Sequence, residues 1–114
     1  MGVLVKKTAE TVDEGIANMI AAANEDYMGF PVNDAMKDEF PSKWVIKKGS
    51  KYVKIMSDYG GSAWGFVVNT DTDKKFKKGD ILKPAGWAAP ARNAARGNVF
   101  EGGYPINWTG PLYL

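Results

Sequence analysis

The chain changes its hydrophobic period part-way along, and that change restricts the fold more than any other feature. Val12, Ile16, Met19, Ile20, Ala23 and Tyr27 recur at helical spacing, with Asp13, Asn18 and Glu25 on the opposite side. Thr11 and Glu14 stand in the capping-box arrangement, where a hydroxyl and a carboxylate satisfy backbone donors that open a helix. The pattern predicts an amphipathic helix from about residue 9 to 27, in which Gly15 costs about 1 kcal/mol relative to alanine. Such a helix packs its apolar face on a sheet far more often than on a partner. Gly29-Phe30-Pro31 ends it. Asn33 is then placed to cap a short second helix, Asp34 to Phe40, which Pro41 closes.

From Lys43 onward the period is two. Lys43–Lys47, Lys51–Met56, Ala63–Val68 and Ile81–Lys83 are rich in aromatic and β-branched residues and are bounded by glycine clusters. A meander of antiparallel hairpins is the economical reading. Residues 69–78 form a polar loop or extend a hairpin, and Pro84 ends the fourth strand or places it at an edge. Pro90 suits the first position of a helical turn over Ala91–Ala95, with Gly97 as its left-handed stop. The tail from Gly102 holds Tyr104, Ile106, Trp108, Leu112 and Tyr113, too many apolar groups to leave in water, so it is expected to fold back on the core. The fold class expected is α+β in a single domain, 1–114. Residues 1–41 form the helical part and 42–114 the β-rich part with its aromatic tail. The helices pack on a small sheet of four or five strands, either open or curled like an SH3 barrel.

Cysteine and histidine are both absent. Disulfides, thiolate metal sites, cysteine nucleophiles and histidine bases are therefore excluded, and no cofactor is expected. Neither a secretory leader nor an apolar run long enough for a membrane span is visible, so the chain reads as neither secreted nor membrane-bound. Asn69, Asp71, Asp73 and Asp80 have the spacing of a calcium loop, but Lys74 stands where such a loop needs glycine. Asp58 beside Tyr59, and Asp71 beside Asp73, are the carboxylates a hydrolytic enzyme could use. No catalytic motif accompanies them, and the chain reads as a non-enzyme.

Charge is more informative. Residues 1–39 hold three lysines against eight acids, net −5, whereas residues 40–114 hold twelve lysines and arginines against five acids, net +7. Either the two parts neutralise each other or the second part meets an anionic partner. Lys47, Lys48, Lys51 and Lys54 on one hairpin, with Trp87, Arg92 and Arg96 after the last strand, would serve nucleic acid: cations for phosphates, an aromatic ring for bases. The competing reading is a protein partner, or a second copy of the chain, on Tyr104, Ile106, Trp108 and Tyr113.

The block Phe76-Lys77-Lys78-Gly79-Asp80-Ile81-Leu82-Lys83-Pro84-Ala85-x-Trp87, followed by Pro90-Ala91 and Ala95-Arg96-Gly97-Asn98-Val99-Phe100, resembles small proteins of tailed bacteriophages, particularly phages of marine bacteria. The hairpin Lys51-Tyr52-x-Lys54-Ile55 precedes it in the same way. The resemblance covers Ser42 to Phe100. It implies a phage origin, and with it the cytoplasm of an infected bacterium or the virion as location. It carries over no functional residue.

Overall fold

A computed structural model describes residues 3–28, 44–57, 60–107 and 110–111. It is α+β, with one helix and two antiparallel sheets among the described residues. Strand β1 (Val3–Val5) precedes helix α1 (Val12–Met28). Strands β2 (Val45–Lys48), β3 (Tyr52–Ser57), β4 (Ser62–Val68) and β5 (Ile81–Leu82) form a sheet in sequence order. Strands β6 (Tyr104–Asn107) and β7 (Gly110–Pro111) join β1 in a second sheet, ordered β1-β6-β7. The meander is present as expected. The second helix expected over 34–40 lies outside the described residues, as do Asp58 and Tyr59.

The α1 cap follows the sequence: the Glu14 backbone N–H donates to Thr11 Oγ1 at 3.1 Å. Val12, Ile16, Met19 and Ala23 are buried in one cluster with Val53, Ile55, Val67 and Ile81 of the first sheet and Val5, Tyr104 and Ile106 of the second. The helix thus covers the inner face of the meander while the second sheet closes the same core. Strand β4 carries a bulge: Ile55 faces Gly65 and Met56 faces Ala63, so Trp64 is the extra residue. Its indole joins the inner core beside Trp44, ring centroids 5.6 Å apart in an edge-to-face contact.

The tail does fold back, but as a strand. Tyr104, Pro105 and Ile106 pair with Val5, Leu4 and Val3. Tyr104 and Ile106 are both in the core and are not available to a partner, a correction to their reading as contact residues. Burial also pushes the Tyr104 hydroxyl pKa up to about 12. Trp108 and Tyr113 lie outside the described residues.

The expected helical turn over 91–95 is not formed. The segment runs antiparallel to β5 and the residue after it instead: Ala91 N–H donates to Lys83 O at 2.7 Å, Arg96 N–H to Ile81 O at 2.7 Å, and Ile81 N–H to Gly97 O at 2.9 Å. One helical turn is marginal alone, and pairing with a strand satisfies the same backbone groups better. Gly97 serves a close approach rather than a helix stop, because a Cβ there would lie 2.3 Å from Tyr104 Cβ.

Gly15 has a similar reason. A Cβ at this position would meet Val99 Cβ at 2.4 Å, so α1 lies flush against the 97–100 segment. Gly15→Ala should therefore destabilise the protein. Overpacking costs about 1–3 kcal/mol, outweighing the gain in helix propensity of about 1 kcal/mol. A lower urea midpoint is expected in equilibrium unfolding; a higher one would contradict the close packing.

Candidate nucleic-acid interface

The outer face of the meander is built from cross-strand rows. Lys47, Lys54, Phe66 and Leu82 lie in one row, and Tyr52 faces Val68 in the next. Residues 69–80 and 83–96, on either side of β5, fold over the β4–β5 half of this face. Phe76 and Ala95 pack there against Phe66, Val68, Leu82 and Tyr52. The half towards β2 keeps its lysines.

One side chain anchors the covering segment. Asp73 accepts from Lys75 N–H and Phe76 N–H, both at 2.9 Å, and takes both arms of the Arg92 guanidinium at 2.9 Å. Arg92 also donates to the Tyr52 hydroxyl and lies over the Phe76 ring. The Asp73 side chain is only 1% exposed, against 37% for Arg92. Arg92 and the two backbone donors hold the carboxyl well below the usual carboxylate range. Arg92 is raised in return, by Asp73 first and Tyr52 second.

A second device presents an aromatic ring. Pro84 and Pro90 form a bridge, and Ala85 N–H donates to Ala89 O at 3.0 Å, so residues 83–91 make a narrow hairpin-like loop. Trp87 is at its tip. The ring folds back to donate from Nε1 to Gly60 O at 3.0 Å, and Lys54 Nζ sits 3.0 Å from the ring centroid. The indole nevertheless remains 56% exposed. Burial and the neighbouring Lys47 both lower the Lys54 pKa.

The sequence candidates therefore separate. Lys47, Lys54 and Trp87 come together on the outer face. Lys51 lies beside the hairpin tip. Lys48 points to the inner side, where it pairs with Asp13 at 2.6 Å and helps line an apolar groove between α1 and β2 with Ile16, Ile20 and Ile46. Arg92 is held by Asp73. Arg96 is buried, with Nη2 donating to Asn93 Oδ1 at 3.3 Å, and is withdrawn from any phosphate. Among the described residues, Lys47, Lys51, Lys54 and Lys74 form no ion pair.

A family of unknown function, DUF7717, matches residues 4–113. The chain belongs to this family. No curated protein and no solved structure matches it. The match to DUF7717 takes in both sheets, the helix and the outer face, so the family spans this whole architecture.

The block over residues 76–100 that stands out in the sequence has a structural purpose. Asp80 accepts from Lys77 N–H at 3.1 Å and from Asn98 Nδ2 at 2.9 Å, and Asn98 Nδ2 also donates to Lys78 O at 3.1 Å. Gly79 has φ +91°, and a Cβ there would strike the Phe100 ring at 2.5 Å. These contacts tie the fifth strand to the 97–100 segment. The calcium spacing dissolves for the same reason: Asp73 and Asp80 are committed to different partners. No group of three acidic, histidine or cysteine side chains that could hold a metal occurs among the described residues. Asp73 as an arginine clamp escaped the sequence reading, although Asp73-x-Lys75-Phe76 is a turn-forming aspartate.

The clamp has a pH signature. Because the folded pKa of Asp73 is depressed, the stability it contributes is present above the unfolded value of about 3.9. That stability is lost as pH falls through the folded value. Asp73→Asn should lower the melting temperature at pH 7, and the gap to the parent protein should narrow as pH drops below about 4. A gap independent of pH would show that the carboxylate charge is irrelevant there.

Proposed function

We propose that the protein is a non-enzymatic, nucleic-acid-binding protein whose working surface is the outer face around Lys47, Lys54 and Trp87. The observation that carries this reading is the Lys47–Lys54 pair. Two lysines directly opposite each other on neighbouring strands repel, and no carboxylate among the described residues relieves them. Edge lysines are a common guard against sheet aggregation, which accounts for Lys47 on β2. It does not account for Lys54, which is on the inner strand β3 and half-buried beneath Trp87. A polyanion would relieve the repulsion, and an exposed, held indole offers a base a stacking surface.

The protein-partner alternative is weaker, because two of its four residues are core. The resemblance to tailed-phage proteins supports an infected bacterial cell as the setting. Cation placement, more than the modest net charge of +2, favours nucleic acid.

The test is fluorescence anisotropy with labelled single- and double-stranded DNA and RNA at about 50 and 200 mM salt. Affinity should fall steeply between the two conditions. Lys47→Glu should weaken binding about tenfold and flatten the salt dependence. Trp87→Ala should cost about 1–3 kcal/mol, the worth of one stacked base. Arg92 and Arg96 are unsuitable probes, since replacing either disturbs the fold. Absence of binding at the lower salt would contradict the proposal.

A further inference from the structure

Beyond Tyr52, at the β2–β3 hairpin tip, the outer face opens into a cavity of about 580 Å³. Ser50, Lys51, Thr70, Thr72, Lys74 and Arg92 line it, together with Asp73. We propose that this cavity is a phosphate-binding subsite.

Three observations carry the proposal. Three cations face one acid, and that acid is spent: Asp73 receives four N–H donors, which matches the acceptor capacity of a carboxylate. It has nothing left to offer a metal ion, so the cavity favours anions. Arg92 is held flat by Asp73 and Tyr52, using three of its five N–H groups. The remaining two belong to a guanidinium already fixed in position, which suits the planar, multidentate recognition of phosphate. Finally, Lys51 and Lys74 form no ion pair among the described residues, and the Thr70 and Thr72 hydroxyls lie 2.8 Å apart beside them. Two lysine point charges, one fixed fork and the one hydroxyl proton that the Thr70–Thr72 hydrogen bond leaves free are a donor set suited to an oxyanion.

The subsite adjoins the proposed interface. Tyr52, which holds Arg92, and Lys54, which holds Trp87, are two residues apart on the same face of β3, a separation of about 7 Å. One polynucleotide could place a phosphate in the cavity and a base on Trp87. That source of the phosphate rests on the function proposed above, whereas the anion chemistry of the cavity does not.

Two probes separate these claims. Inorganic pyrophosphate is titrated while the amide resonances of Thr70, Thr72 and Lys74 are followed, and a single-stranded oligothymidylate is titrated by anisotropy. Both are repeated with Lys51→Ala/Lys74→Ala, whose exposed positions should leave the melting temperature unchanged. Pyrophosphate should shift the three resonances in the parent protein alone and should compete with the oligonucleotide. The double variant should bind the oligonucleotide about tenfold more weakly, with a salt slope lower by about 1.4. If pyrophosphate shifts those resonances but the oligonucleotide does not bind, the subsite stands and its phosphate comes from a small compound. If the oligonucleotide binds equally to both proteins and pyrophosphate shifts nothing in the cavity, the subsite is overturned while the Lys47–Lys54–Trp87 surface survives.

Discussion

The Asp73 carboxylate organises the outer half of this molecule. An excursion of nearly thirty residues, 69–96, irregular apart from β5 within it, must lie on a sheet face that would otherwise expose Phe66, Val68 and the Leu82 of β5 itself. Phe76 supplies the apolar cover, but apolar contact alone does not fix a loop in register. Asp73 does so by joining its own turn to Arg92 near the far end of the excursion, and Arg92 joins both to Tyr52 of the sheet. The pair is partly screened on the arginine side, so its value is geometric as much as energetic. It also fixes one cation in place with two N–H groups unspent, while the rest of the outer-face charge is carried by lysines.

Those lysines are distributed with the fold. On the inner side Lys48 meets Asp13 of α1, so one contact does join the acidic and basic parts of the chain. On the outer side the positive charge is left in place. A half-buried lysine with a depressed pKa, held between another lysine and an indole, is a costly arrangement for folding alone. The proposed binding role would give that cost a purpose, because cation and ring would each be positioned before a ligand arrives.

Much of this was legible in the sequence, and the failures share a cause. The capping box at Thr11, the helix it opens and the four-stranded meander follow from local pattern, since each element announces itself within a few residues. The second sheet does not, because Val3–Val5 and Tyr104–Asn107 find each other across nearly the whole chain. Pro90-Ala91 and Gly97 carry the local signals of a helical turn, yet the backbone there pairs along β5. Tertiary hydrogen bonding overrode propensity. Of the site candidates, Lys47, Lys54 and Trp87 converge, whereas Arg92 and Arg96 prove structural and Tyr104 and Ile106 belong to the core. Charge type can be read from a sequence, but whether a charge is already spent on a partner cannot.

Mapping backbone amide and indole N–H shifts of the labelled protein during titration with a single-stranded oligonucleotide tests the central claim most directly. The account predicts saturable shifts at Lys47, Lys54 and the Trp87 indole, with Asp13, Ile16 and Ile20 on the α1 side unmoved. Shifts confined to α1, or none at any concentration in low salt, would contradict it.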